Sequence, residues 1–135
     1  MIFLKHIRKT SLIIVAMLSI SCNKPRRLYI SNETGKPLTI AISADLESGK
    51  GAMKDKFKDS LNGLRMEKGH ITISYGIGKW SKKDKEDLKI ILENVTLKVD
   101  GDTGVYRLPK DIKIGNGILI PELIVNIKQL DKENE

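Results

Sequence analysis

Leu38-Thr39-Ile40-Ala41-Ile42-Ser43 places a large apolar side chain at every second position. Successive side chains of a strand point to opposite faces, so such a run buries Leu38, Ile40 and Ile42 on one side and turns Thr39, Ala41 and Ser43 to the other. The same period runs through Leu28 and Ile30, with Tyr29 and Ser31 between them. Asn32-Glu33-Thr34-Gly35-Lys36-Pro37, dense in turn formers, joins the two runs. Together they predict a β-hairpin.

The alternation returns along the chain. Ile71, Ile73 and Tyr75 alternate with Thr72 and Ser74, Leu88, Ile90 and Leu92 with Lys89 and Glu93, and Val95, Leu97 and Val99 with Thr96 and Lys98. One-sided alternation of this kind belongs to antiparallel sheets with one dry face. The turn Asp100-Gly101-Asp102-Thr103-Gly104 leads into Val105 to Leu108, which Pro109 ends; Gly115-Asn116-Gly117 is a second turn signal, and Ile118 to Lys128 a final apolar stretch interrupted by Pro121. Met53, Phe57 and Leu61 instead recur every fourth residue among Lys54, Asp55, Lys56, Lys58 and Asp59, which predicts one short amphipathic helix within Gly51 to Leu64. Seven or eight short strands and one helix make the expected fold all-β: a small antiparallel β-sandwich, Ig-like or similar, spanning residues 28–130, with a frayed charged tail at 131–135.

The amino-terminal region follows a different logic. Lys5, His6, Arg8 and Lys9 precede an apolar run from Leu12 to Ile20, which Leu18-Ser19-Ile20-Ser21-Cys22 closes. The run is about half of the roughly 20 residues that cross a bilayer. These residues resemble a bacterial lipoprotein export signal, and endings in Ser-Cys are familiar among Bacteroidota lipoproteins. Leu18 lies one position further upstream than the usual lipobox places it, and Ser21 stands where Gly or Ala is usual. The resemblance covers residues 1–22 and implies a signal peptide at 1–21, cleavage before Cys22 and acyl chains, palmitate among them, on that sulfur. An ordinary signal peptidase site, with Ser19 and Ser21 as its small residues, would cut the same bond. Cys22 is the chain's one cysteine, and lipidation accounts for a thiol that would otherwise stay unpaired in an oxidising compartment.

The mature chain would hold about 114 residues, enough for one domain. The formal charge of +7 falls to about +4 once Lys5, Arg8 and Lys9 leave with the signal. That excess is ordinary and does not point to nucleic acid. Residues 22–27 form a tether reaching at most about 20 Å. Lys24, Arg26 and Arg27 within it would favour anionic headgroups by about 1 kcal/mol each near a surface. In the lipoproteins this signal resembles, acidic residues soon after the cysteine often mark export to the cell surface; their absence here directs the expectation to the outer membrane, facing the periplasm.

Catalytic chemistry finds little support in the residues. No Gly-x-Ser-x-Gly elbow is present, and His70 is the one imidazole left after cleavage, too few for a histidine-based zinc site. Asp100 and Asp102 lack the further oxygen ligands of a calcium loop, and Gly76-Ile77-Gly78-Lys79 lacks phosphate-loop spacing. No metal or cofactor is expected, and the chain is not expected to be an enzyme. A hydrolase built on Glu47, Asp59, Asp84 or Glu86 is the weakest alternative.

Trp80 is the sole tryptophan. With Tyr75 and Lys79 beside it in sequence, it makes either an apolar shelf for another envelope protein or a glycan, or a plug for the open end of the sandwich. Asp59-Ser60-Leu61 resembles the O-glycosylation site of Bacteroidota envelope proteins and makes Ser60 a candidate. The expected function is a membrane-anchored envelope lipoprotein with a non-catalytic binding or assembly role. The runner-up is a membrane-held inhibitor or immunity-type protein acting through a protruding loop at Gly76 to Asp87.

Overall fold

A computed structural model describes residues 24–43 and 52–133; the expected signal peptide, Cys22 and Glu47 lie outside the described residues. Among the described residues the chain is mostly β, with nine strands and two helices: β1 (Pro25–Asn32), β2 (Leu38–Ile42), α1 (Ala52–Leu61), β3 (Arg65–Met66), β4 (Gly69–Ile77), α2 (Lys82–Glu93), β5 (Val95–Val99), β6 (Val105–Arg107), β7 (Ile114–Asn116), β8 (Glu122–Ile127) and β9 (Asp131–Lys132). They form a four-stranded sheet ordered β4-β1-β8-β7 and a five-stranded sheet ordered β3-β2-β5-β6-β9.

Period-two side chains meet in rows across each sheet. Ile73, Leu28 and Leu123 lie in register across the first, with Ile71, Ile30, Val125 and Ile114 as the next row. In the second, Met66 pairs with Leu38 and Leu38 with Val99, while Ile40, Leu97 and Tyr106 form the neighbouring row. Both inner faces contribute to one core, to which α1 adds Phe57 and Leu61 and α2 adds Leu88 and Ile91, all fully buried. The result is sandwich-like, with α1 packed on α2.

The hairpin expected from the opening stretch is not formed. β1 and β2 belong to different sheets, and the segment between them passes from one to the other. Buried Asn32 organises that passage: its amide nitrogen donates to the carbonyls of Lys36 (2.8 Å) and Glu67 (3.3 Å), and its Oδ1 accepts from the backbone and hydroxyl of Thr34. A side chain that supplies these bonds from inside the fold replaces the backbone ladder a hairpin would use. Nor are the sheets purely antiparallel, because β8 runs parallel to β1. Local alternation says nothing about such a pairing, which joins strands far apart in the chain.

A second correction concerns Leu88 to Leu92, expected as a strand and observed within α2. Leu88, Ile91 and Leu92 are buried at i, i+3 and i+4, while Ile90 is 41% exposed. A capping box starts the helix: Ser81 Oγ accepts from Asp84 N at 3.1 Å, and the Asp84 carboxylate accepts from Ser81 N at 2.8 Å. The loop expected at Gly76 to Asp87 therefore shrinks to the few residues between Ile77 and Lys82. The boundaries shift as well. β1 takes up Pro25, Arg26 and Arg27, which the sequence assigns to the tether, and Pro25 is tolerated at a strand's first position. Within the tail expected to fray, Asp131–Lys132 pair as β9 with β6 and Arg107 binds the Glu133 carboxylate at 3.0 Å, while residues 134–135 lie outside the described residues.

The helical placement of α2 makes neighbouring isoleucines unequal. Ile91→Ala should lower the unfolding free energy by about 2–5 kcal/mol, as for a large core residue. Ile90→Ala should cost under about 1 kcal/mol, in the range of surface changes. Denaturant midpoints of the two variants check this; a strand at 88–92 would reverse the order.

Candidate functional site

Trp80, Tyr75 and Ser60 come together where β4 ends and α2 begins. Gly76 (φ 79°) and Gly78 (φ 140°) turn the chain sharply after Tyr75 in backbone conformations that side-chain-bearing residues rarely adopt. The turn brings Trp80 back over the sheet. Its ring stacks on buried Phe57 from α1 at 5.6 Å and meets Tyr75 edge-on at 5.7 Å; Phe57 and Tyr75 are also edge-to-face, at 5.0 Å. The indole N–H is shared between the carbonyls of Pro121 (3.0 Å) and Arg27 (3.2 Å). The Arg26 guanidinium lies 5.5 Å from the centre of the Trp80 ring and donates to the Tyr75 carbonyl at 2.9 Å. Trp80 is half-buried, with its polar atom satisfied and aromatic or cationic neighbours about it, so it acts as a plug for this end of the domain more than as an open shelf.

The accessible surface lies next to this cluster. An open groove of about 530 Å³ runs between α1 and β4, lined by Lys56, Asp59 and Ser60 on the helix and by Ile73, Ser74 and Tyr75 on the strand, with Arg26 at one end. The Ser60 hydroxyl bonds both the Phe57 carbonyl and the Tyr75 hydroxyl and is half-buried. Burial pushes the Tyr75 phenol above its ordinary value of 10.0, and the Ser60 bond opposes that shift. Lys79 is exposed in the short loop and is not among the lining residues. β4 pairs with β1 along one side, and among the described residues no strand pairs with its other side.

Other sequence candidates stand apart. His70 is exposed and stacks on Tyr29 at 4.9 Å, on the outer face of the four-stranded sheet. Asp100 takes a bidentate contact from Arg65, which holds its carboxyl below the usual range, and Asp102 accepts from the Tyr106 hydroxyl and the Gly104 amide. Among the described residues no group of three or more acidic, histidine or cysteine side chains is placed to hold a metal. Asp59 lines the groove, Asp84 is engaged in the α2 cap, and Glu86 faces a different groove beside Lys110 and Lys113, so these carboxylates do not converge. Arg26 and Phe57 are the members that sequence reasoning missed. Comparison with protein-family models, with curated proteins and with solved structures finds no match to this chain.

Two measurements probe this cluster. A phenol whose folded pKa is raised contributes stability that is fully present below the unfolded value and lost as pH rises through the folded one. Stability should therefore fall as pH climbs past 10.0, and Tyr75→Phe should make that fall shallower in unfolding titrations at alkaline pH. Trp80→Ala should cost on the order of 3 kcal/mol, near the low end for a large aromatic because the ring is half-exposed.

Proposed function

We propose that the protein is a membrane-anchored envelope lipoprotein whose β-sandwich is a non-catalytic binding or assembly module, and that its partner adds an extended segment along the outer side of β4. The observation that carries this reading is the nine-residue length of β4 at a sheet edge, with most of its side chains exposed and a groove beside it. An unpaired edge presents a row of backbone donors and acceptors, and proteins that do not use such an edge usually blunt it with lysine or proline. β4, Gly-His-Ile-Thr-Ile-Ser-Tyr-Gly-Ile, contains neither, and its irregularity against β1 is confined to the Tyr75–Gly76 end, leaving Gly69 to Ser74 in regular register. An added strand would gain main-chain hydrogen bonds from the edge and side-chain selection from the groove, where Lys56 and Asp59 offer charges of both signs.

The anchor rests on the resemblance at residues 1–22, and with it the placement at the outer membrane facing the periplasm. No helix among the described residues is long and apolar enough to cross a membrane. The inhibitor or immunity-type alternative loses the long loop from Gly76 to Asp87 that was to carry it, because α2 starts at Lys82.

Replacing Cys22 with Ser should release the domain into the soluble envelope fraction or block processing, as fractionation with mass analysis of the amino terminus would read. For the binding role, a photo-crosslinker at Ser74 should capture the partner in intact envelopes, and the purified partner should slow hydrogen exchange at β4 amides. The double variant Thr72→Lys, Ser74→Lys should then weaken binding by about tenfold or more, the equivalent of one or two hydrogen bonds. Full affinity in that variant, with unchanged exchange at β4, would exclude the edge as the site.

A further inference from the structure

Among the described residues the most exposed apolar side chains belong to the turn between β7 and β8. Ile118 is 97% exposed and Leu119 84%, with Ile120 next to them at 39%. The turn is held in shape, not slack: Gly117 N donates to the Glu122 carbonyl at 2.8 Å, and a Cβ at Gly117 would come within 2.7 Å of the Ile120 carbonyl. Three consecutive large apolar residues on a fixed protruding turn are costly to keep in water unless something covers them.

The surroundings of the turn indicate what that is. Lys24 Nζ donates to the Leu119 carbonyl at 3.3 Å, and Arg27 N donates to the Pro121 carbonyl at 3.0 Å. The turn therefore lies at the end of the four-stranded sheet where β1 begins. Ile77, 65% exposed, is the register partner of Pro25 at that same end. Cys22 precedes Lys24 by two residues, a span of at most about 7 Å. The lipid proposed on Cys22 and the apolar turn must consequently meet the same surface. Arg27 and Lys79 are exposed near this end together with half-buried Lys24; the carboxylates nearest in the chain are half-buried Glu122, the register partner of Arg27, and Asp84, engaged in the α2 cap. Apolar tips with cations at the same sheet end suit the boundary between acyl chains and phosphate headgroups.

We infer that the turn Ile118-Leu119-Ile120, with Ile77 beside it, dips into the lipid interface and fixes the orientation of the domain on its membrane. This rests on the lipoprotein reading, since the acyl chains on Cys22 bring the turn to the surface. Two or more acyl chains suffice for retention, so the turn orients the domain and does not hold it.

The test uses the lipidated protein isolated from its own envelope, with Leu119→Cys carrying a nitroxide label and Lys36→Cys, in the turn at the opposite end of β1, as the control. Both side chains are exposed, so neither change threatens folding. The proteins are reconstituted in vesicles of phosphatidylethanolamine and phosphatidylglycerol, and the mass of the amino-terminal peptide reports the lipid on Cys22. The oxygen-to-nickel accessibility ratio should be higher at residue 119 than at residue 36 by roughly tenfold, the contrast between a site immersed about 5–10 Å and one in water. With the lipid present, equal ratios at the two sites would overturn the inference and leave the anchor standing. Protection of residue 119 from both reagents would overturn it in favour of a protein covering. Absence of the lipid, with the protein in the soluble fraction, would bring down the anchor reading and this inference together.

Discussion

At the parallel start of β1 and β8 a single indole nitrogen reaches a carbonyl of each approaching segment. Parallel neighbours cannot be closed by a tight turn, so their first residues must find hydrogen-bond partners elsewhere. Here Arg27 N bonds the Pro121 carbonyl, and Trp80 Nε1 bonds both that carbonyl and the carbonyl of Arg27. The same ring rests on Phe57 and so ties α1 to the sheet end. Removing it would loosen contacts among three segments at once: the start of β1, the approach to β8, and α1.

Four strands were legible because each buries one face, so period two survives in the sequence at Leu28 to Ile30, Leu38 to Ile42, Ile71 to Tyr75 and Val95 to Val99, whereas the two-residue strands β3 and β9 are too short to carry a period. α1 was legible by the same reasoning at a different period. α2 misled because Ile90 is apolar yet substantially exposed, and it completes an alternation that Leu88 and Leu92 begin. The correct signal was also present, in the Ser81 to Asp84 cap and in the spacing of Leu88, Ile91 and Leu92. The route of the chain beyond β1 was not legible from proximity in sequence. Turn formers announce a change of direction but not which sheet receives the chain, and the deciding group was the buried amide of Asn32.

The site divides the same way. Trp80 and Tyr75 drew notice through rarity and neighbourhood, and Ser60 through a three-residue pattern, and all three meet in one cluster. Arg26 could not have been placed from sequence, because it sits where the register shifts and β4 carries one residue more than β1, and there its guanidinium meets the Tyr75 carbonyl and the Trp80 face. The bulge and the left-handed glycines at 76 and 78 are one solution seen from two strands. Gly78 N returns a hydrogen bond to the Lys24 carbonyl, so the chain closes over the entry of β1.

The two proposed surfaces constrain each other. β4 finishes at Ile77, at the end proposed to meet the membrane, and its nine residues extend from there over about 30 Å at the usual strand rise. On that orientation the binding edge stands up from the bilayer, with its Arg26 end lowest and its Gly69 end in the aqueous space. A segment adding to this edge must therefore run roughly along the membrane normal. A linker rising from a neighbouring membrane protein meets that condition without bending, and so does a strand descending from a partner above; a segment lying flat on the headgroups does not. The short spacer between Cys22 and β1 limits how far the domain can tilt to relax the rule. If both proposals hold, edge, turn and tether together select the direction from which a partner can approach.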